Sequence, residues 1–159
     1  MMGAGKSTVG RALAGLADVP FQDTDNLLEM RFGRRVSSIF SIYGEESFRG
    51  HETSMLKTLD RKPGVLATGG GIVTVPENWT EFQRLGTTIF MDVPPNQLKE
   101  RLAKSKKRRP LLEYDDWEAR FDAMFEARRP VYCQADIIFE IDAAHLEEAA
   151  DRLYARLTS

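Results

Sequence analysis

The first eight residues carry the residue types of a phosphate-binding loop that leads into a helix: Met-Met-Gly-Ala-Gly-Lys-Ser-Thr. Glycines let backbone N–H groups approach an anion closely, and a helix N-terminus adds partial positive charge. In the pattern G-x-x-x-x-G-K-[ST], the lysine reaches the β- and γ-phosphates of a nucleotide, and the next hydroxyl completes the coordination of Mg²⁺. The predicted nucleotide-binding residues are Gly3, Ala4, Gly5, Lys6, Ser7 and Thr8, and Ser7 is also a predicted metal ligand.

The alternative interpretation of this segment is a glycine-rich tail followed by a helix. Val9, Leu13 and Leu16 follow the loop at helical spacing, which favours the phosphate loop. The pattern lacks its first glycine, which would fall one residue before Met1, and no apolar strand leads into the loop.

Two carboxylates, Asp23 and Asp25, follow a short apolar stretch that begins at Val19. In an extended segment, residues two apart point to the same face. Ligands of an open parallel sheet bind beyond the carboxyl ends of its strands. We therefore predict that this pair lies beside the phosphate loop and takes part in the chemistry. The alternative is that Asp25 serves as the N-cap of the helix that follows.

Residues 36–59 predict an inserted helical region in which Arg49 and Glu52 are three positions apart. At that spacing the carboxylate can orient the guanidinium, although a surface ion pair is the usual explanation. A short apolar strand then ends in three glycines at 69–71. Three consecutive glycines favour the close approach of a ligand or of another backbone, and a plain flexible turn is the alternative.

The second half of the chain contains a strongly basic segment. Seven of the eleven residues from Lys99 to Arg109 are basic. Such a run is usually a solvated face or a loop. Beside a nucleotide site, its arginines could instead close over a transferring phosphate as a lid.

The apolar runs alternate with helical patterns along the whole chain. Helices are predicted at about 7–16, 117–129 and 146–157, with a further helix around Leu98 and Leu102. This alternation predicts a three-layer α/β fold whose parallel sheet is covered by helices on both faces. A length of 159 residues fits one domain spanning residues 1–159.

The composition limits the partners and the setting. The net charge of −2 gives the protein as a whole no electrostatic reason to bind nucleic acid or an anionic membrane. No apolar stretch approaches the length of a membrane span, and the single Cys133 excludes an internal disulfide. We expect a cytoplasmic protein. Neither His51 nor His145 has His or Cys neighbours at the spacing of metal ligands.

Several further motifs follow the loop in order. They are the D-T-D-x-x-x-E stretch at 23–29, G-E-x-x-F-R at 44–49, G-G-G at 69–71, R-P-L-L at 109–112 and R-x-P-x-Y at 128–132. Together with the loop, this set resembles the shikimate kinase family, in the nucleoside-monophosphate-kinase-like branch of P-loop proteins. The resemblance covers the whole chain.

The resemblance implies transfer of the γ-phosphoryl group of ATP to the 3-hydroxyl of shikimate, a step of aromatic amino-acid synthesis. It also implies Mg²⁺ as cofactor, a helical substrate-binding insertion at about 26–60, a lid at about 103–116 and a monomer. Lys6, Asp25 and Arg109 would be catalytic, with Arg109 reaching the nucleotide from the lid, and Asp23 would support the metal. The acceptor would be held by Asp25, Arg49, Gly70, Gly71 and Arg128.

Two other functions compete with this one. A related small-molecule kinase, such as a gluconate or nucleotide kinase, would share the loop and the lid. A non-catalytic nucleotide-binding module would retain the loop without turnover.

The same resemblance places a strand before the phosphate loop at the centre of the sheet, and the sequence offers no residues for it. We therefore expect four parallel strands, near residues 19–23, 64–68, 87–93 and 136–141, with an opening one strand wide. Two strands that flank an empty position should stand about 9.6 Å apart. We also expect exposed apolar surface in the opening and aggregation of the isolated chain.

Overall fold

A computed structural model describes residues 1–105 and 113–159, and in it helices alternate with short strands. The helices are α1 Lys6–Leu16, α2 Thr24–Phe32, α3 Val36–Thr58, α4 Asn78–Leu85, α5 Pro95–Lys104, α6 Trp117–Tyr132 and α7 Leu146–Thr158. The strands are β1 Phe21–Asp23, β2 Val65–Ala67, β3 Ile89–Asp92 and β4 Ile137–Glu140, and short 3₁₀ helices span Ile72–Thr74 and Ala143–His145.

The strands pair in parallel, as two separate two-stranded sheets. Strand β1 pairs with β2 so that Gln22 lies opposite Leu66, and β3 pairs with β4 so that Phe90 lies opposite Ile138. Within residues 1–105 and 113–159, no ladder joins the two sheets. The prediction of a parallel α/β fold with four strands and an opening is therefore confirmed. The expected spacing of 9.6 Å and the expected aggregation stay predictions.

A cavity of about 520 Å³ occupies the opening, and the inner borders of β2 and β3 form its edges. Helices α1, α4 and α7 also line this cavity. We refer to this cavity as the opening below.

The core lies between the helices and the sheets. Leu28 of α2, Ile39 and Leu56 of α3 and Phe121 of α6 are fully buried. Each such side chain stabilises the fold by roughly 1.5–3 kcal/mol relative to exposure. Helix α3 contains a break at Gly44, where φ is 77° and ψ is 171°.

Two elements differ from the sequence-based predictions. Helix α4 was not predicted, and its first residue, Asn78, is buried with its side-chain amide donating to the carbonyl of Ile72 at 2.8 Å. Helix α6 continues through Pro130 to Tyr132, beyond the predicted end at Arg129.

The predicted substrate-binding insertion corresponds to α2 and α3. Half of the predicted lid at 103–116, residues 106–112 with the catalytic candidate Arg109, lies outside the described residues. Among the described helices, none is long and apolar enough to cross a membrane.

Candidate active site

The predicted phosphate loop has the backbone of an anion-binding turn. Gly3 and Gly5 have φ values of 79° and 81°, in the left-handed region that favours glycine, and Gly5 is the N-cap of α1. The Lys6 ammonium donates to the carbonyl of Met1 at 2.6 Å, so it lies across the loop. Arg101 of α5 donates to the Gly3 carbonyl at 2.9 Å and so fixes the loop to α5.

Asp23 connects the loop to the first strand. It ends β1 and caps α2, with Oδ1 accepting from the backbone N–H of Asp25 at 3.0 Å. Its Oδ2 accepts from the Ser7 hydroxyl at 2.6 Å. The prediction that Asp23 lies beside the phosphate loop is therefore confirmed.

The predicted conformation of the carboxylate pair is wrong. Asp25 lies in the first turn of α2 rather than on an extended segment, and the N-cap is Asp23, not Asp25. An aspartate at the end of a strand satisfies the free N–H groups of the next helix, so α2 begins one residue after Asp23.

The oxygens of Ser7 and Asp23 suit a hard divalent cation. Mg²⁺ is usually held by one or two protein oxygens together with substrate phosphates and water. Within residues 1–105 and 113–159, no group of three His, Cys, Asp or Glu side chains could hold a metal by itself. A hydroxyl and a carboxylate at the mouth of a phosphate loop fit a metal that arrives with its nucleotide.

Arg49 and Glu52 of α3 form a buried ion pair rather than a surface one. Arg49 Nη1 donates to Glu52 Oε2 at 2.5 Å, and the Glu52 side chain is only 1% exposed. Burial raises the pKa of Glu52 above its ordinary value, and the Arg49 charge opposes that rise. Arg49 Nε and Glu52 Oε1 are buried without a hydrogen-bond partner among the described residues.

The glycine run after β2 lies against these charged groups. A β-carbon placed on Gly69 would be 3.0 Å from Asp25 Oδ1 and 3.2 Å from Glu52 Oε1. One placed on Gly71 would be 2.0 Å from Arg49 Nη2. Because residues 69–71 have no side chains, the Asp25 and Glu52 carboxylates and the Arg49 guanidinium can lie directly against this backbone.

Tyr132, the last residue of α6, also contacts the glycine run. Its hydroxyl donates to the Gly70 carbonyl, and its ring stacks on Phe90 of β3 with centroids 5.0 Å apart. Burial raises the pKa of Tyr132, while the charge and hydrogen bond of Arg128 lower it. The charge of Arg128 also lowers the pKa of Glu52, against the effect of burial.

The predicted acceptor residues therefore come together. Asp25 and Arg49 lie at the glycine run that contains Gly70 and Gly71, at the end of β2. Arg128 is connected with this group through its charge, which acts on Glu52 and Tyr132.

Sequence reasoning gave no role to two residues that hold the glycine run. Tyr132 was only the last letter of the R-x-P-x-Y motif, and that motif was the one signal that could have drawn attention to it. Thr24, whose hydroxyl accepts from the Gly69 N–H at 3.0 Å, likewise stood only as the central residue of the D-T-D-x-x-x-E motif.

A comparison with known families decides the assignment. The family model described as shikimate kinase matches residues 2–158. The chain belongs to the shikimate kinase family. It is accordingly a kinase, a transferase that uses ATP, and its family acts in the shikimate pathway of aromatic amino-acid biosynthesis.

Curated relatives and solved structures agree with this assignment. A shikimate kinase of Legionella pneumophila (strain Corby) is 42% identical over 154 residues, covering 96% of this chain and 87% of the relative. One from Burkholderia thailandensis is 44% identical over 133 residues, covering 83% and 72%. The structure of shikimate kinase from Acinetobacter baumannii in complex with shikimate is 34% identical, with a TM-score of 0.87 and coverage of 99% and 89%. That from Bacteroides thetaiotaomicron is also 34% identical, with a TM-score of 0.84 and coverage of 99% and 94%.

Proposed function

We propose that this chain transfers the γ-phosphoryl group of ATP to the 3-hydroxyl of shikimate, giving shikimate 3-phosphate and ADP. The observation that supports this most is the convergence of Asp25 and the Arg49–Glu52 pair on the glycine run, next to a phosphate loop. Shikimate combines a carboxylate with three hydroxyls, and this set of groups suits both. A solved relative contains shikimate itself.

The loop residues would hold the nucleotide. The backbone N–H groups of residues 3–8 would bind the phosphates, and Lys6 would contribute positive charge to the β- and γ-phosphates. Ser7 and Asp23 would hold Mg²⁺, which supplies charge neutralisation on the phosphate oxygens when bound. Arg109 is proposed, from the sequence alone, to add a further cation from the lid.

The acceptor would lie between α2, α3 and the glycine run. Arg49 and Arg128 would supply guanidinium groups to the substrate carboxylate, because each guanidinium can donate two parallel hydrogen bonds. Asp25 accepts the proton of the attacking hydroxyl or fixes the position of its oxygen. Phosphoryl transfer depends mainly on such positioning and on cations around the transferred group.

Gly70 and Gly71 would let the acceptor ring approach the backbone. We further propose that the protein is cytoplasmic and acts as a monomer.

A coupled ADP-release assay tests the proposal, with shikimate, gluconate and nucleoside monophosphates as separate acceptors. We expect ADP release to depend on shikimate. Release that depends on one of the other acceptors would assign a related kinase instead. ATP binding by the folded chain without any acceptor-dependent release would indicate a non-catalytic nucleotide-binding module.

Two variants test the proposed roles, each with a matched surface control. Lys6→Met should abolish turnover while the fold is retained, whereas Lys57→Met, at a position 55% exposed, should not. Asp25→Asn should lower kcat strongly because it removes the carboxylate that positions the hydroxyl, whereas Asp60→Asn, at a position 74% exposed, should not. An unchanged kcat in Asp25→Asn would show that Asp25 has only a structural role in α2.

A further inference from the structure

Thr24 lies in the chain between the two carboxylates of the site. It is the first residue of α2, follows the N-cap Asp23 and is fully buried. Asp23 binds this turn to the phosphate loop through the Ser7 hydroxyl at 2.6 Å. Asp25 lies at the glycine run, since a β-carbon on Gly69 would be 3.0 Å from its Oδ1. A buried polar side chain therefore occupies the turn that connects the loop with the glycine run.

The Thr24 hydroxyl continues the ladder between β1 and β2 beyond the end of β1. At the start of that ladder the Val65 N–H donates to the Pro20 carbonyl at 2.9 Å. The bonds of a parallel ladder recur every two residues, so the Gly69 N–H falls to residue 24. At residue 24 the chain has already entered α2, where a backbone carbonyl points along the helix axis. The Thr24 hydroxyl takes the place of this carbonyl and accepts from the Gly69 N–H at 3.0 Å.

The glycine run depends on such a contact because glycine does not restrict its own backbone. A side chain at Gly69 is excluded, since its β-carbon would be 3.0 Å from Asp25 Oδ1 and 3.2 Å from Glu52 Oε1. The position of the run is therefore fixed by hydrogen bonds from other elements. Thr24 supplies one of them, from the same turn that carries Asp25.

We propose that Thr24 is a positioning residue for phosphoryl transfer. Its hydroxyl sets the distance between the Asp25 carboxylate and the backbone of the glycine run, and Asp23 binds the same turn to the phosphate loop. Transfer requires the attacking oxygen to be aligned with the transferred group, and a misplacement of about 1 Å can lower the rate about 100-fold. The inference rests on the proposed function, because that function assigns Asp25 and the glycine run to the acceptor.

Thr24→Val tests the inference, because it removes the hydroxyl and keeps the branched shape of the side chain. The Gly69 N–H loses its acceptor, and the glycine backbone moves to find another. In steady-state ADP release, kcat/KM for shikimate should fall about 10- to 100-fold, while the KM for ATP stays within about twofold of the parent value. Thr58→Val is the matched control, because the Thr58 hydroxyl donates to the Met55 carbonyl of its own helix at 2.7 Å. It should leave both quantities unchanged.

Thr24→Ser separates positioning from stability. It keeps the hydroxyl and removes a buried methyl group, so both Thr24 variants should unfold at lower urea concentrations than the parent. The inference predicts that kcat/KM for shikimate stays within about threefold of the parent value in Thr24→Ser and falls only in Thr24→Val. An equal loss of kcat/KM in the two variants, or a folded Thr24→Val with the parent kcat/KM, would overturn the inference. If Thr24→Val does not fold, Thr24→Ala takes its place with the same expected loss.

Hydrogen exchange followed by NMR gives a readout that does not depend on turnover. In Thr24→Val the Gly69 amide should exchange about tenfold faster than in the parent and in Thr24→Ser. The Val65 amide, at the start of the same ladder, should exchange at nearly the parent rate. Equal acceleration of the two amides would show a general loss of stability and would overturn the inference.

The parent chain distinguishes failure of this inference from failure of the proposed function. Shikimate-dependent ADP release by the parent, with no loss in Thr24→Val, overturns the inference and leaves the proposed function standing. A parent chain without shikimate-dependent release overturns the proposed function, and the inference with it.

Discussion

Replacing Gly71 with alanine tests whether the glycine run positions Arg49 for the acceptor. Gly71 has φ −94° and ψ −13°, a backbone conformation that alanine adopts without strain. The conflict lies in space alone, because the new methyl would stand 2.0 Å from Arg49 Nη2 and 2.3 Å from Cζ. Ordinary contact begins at 3.4 Å, so the guanidinium must move by about 1.4 Å.

A movement of that size breaks the Arg49–Glu52 hydrogen bond. The bond measures 2.5 Å, and Glu52 is too deeply buried to follow freely. A hydrogen bond to a charged group contributes about 1.5–3 kcal/mol. If the acceptor carboxylate depends on this position of Arg49, the KM for shikimate should rise about 10- to 100-fold.

Steady-state ADP release, with each substrate varied in turn, measures the effect of Gly71→Ala. We expect the KM for ATP to stay within about twofold of the parent value, since the loop is untouched. Gly50→Ala is the matched control, because this neighbour of Arg49 is a helical glycine whose added β-carbon meets no atom within 4 Å. A folded Gly71→Ala protein with the parent KM for shikimate would refute the reasoning.

Three further changes test the same region. Arg128→Lys should raise the KM for shikimate about tenfold or more and leave the KM for ATP nearly unchanged, because an ammonium group cannot form two parallel hydrogen bonds to a carboxylate. A rise in the KM for ATP alone would place Arg128 outside the acceptor site. Burial raises the pKa of the Glu52 carboxyl group above its ordinary value of 4.5. Just above pH 4.5, the folded chain therefore retains the proton on this carboxyl group, whereas the unfolded chain has lost it. The free energy of unfolding therefore falls as the pH rises from 4.5 through the raised pKa. Urea titrations at several pH values should show that Glu52→Gln lacks this pH-dependent decrease. The same pH dependence in the variant and the parent would contradict the assignment to Glu52. Tyr132→Phe should lower the free energy of unfolding, measured by urea titration, by about 1–3 kcal/mol. The Gly70 carbonyl loses its hydrogen-bond donor, while the stacking on Phe90 remains. An unchanged free energy of unfolding would show that the hydroxyl does not stabilise the fold.

The parts of the site that depend on local sequence could be predicted. Gly3, Gly5 and Lys6 lie in one short segment whose pattern specifies both the backbone and the chemistry. The spacing of Arg49 and Glu52 likewise predicted their pairing, because residues three apart on a helix are neighbours. Their burial could not be predicted from spacing, since it depends on how α3 packs against the rest of the chain.

Three features were missed or misassigned, one because of a distant contact and two because of local hydrogen bonds. Tyr132 meets Gly70 across 62 positions of sequence, which no local pattern reports. Helix α4 is eight residues long, and its buried Asn78 is held by a carbonyl of the preceding 3₁₀ helix. The conformation of Asp25 was misassigned because a carboxylate pair fits both a strand end and a helix start, and only the cap at Asp23 distinguishes them.

Tyr132 is also a mechanical link between the two sheets. Its ring rests on Phe90 of the β3–β4 sheet, while its hydroxyl holds the Gly70 carbonyl, just beyond the β1–β2 sheet. The width of the opening at this end therefore sets the position of a carbonyl in the acceptor region. A shift of one sheet relative to the other would have to break the ring stack or the hydrogen bond, or move the glycine run, so the packing of the sheets and the position of the Gly70 carbonyl depend on the same side chain.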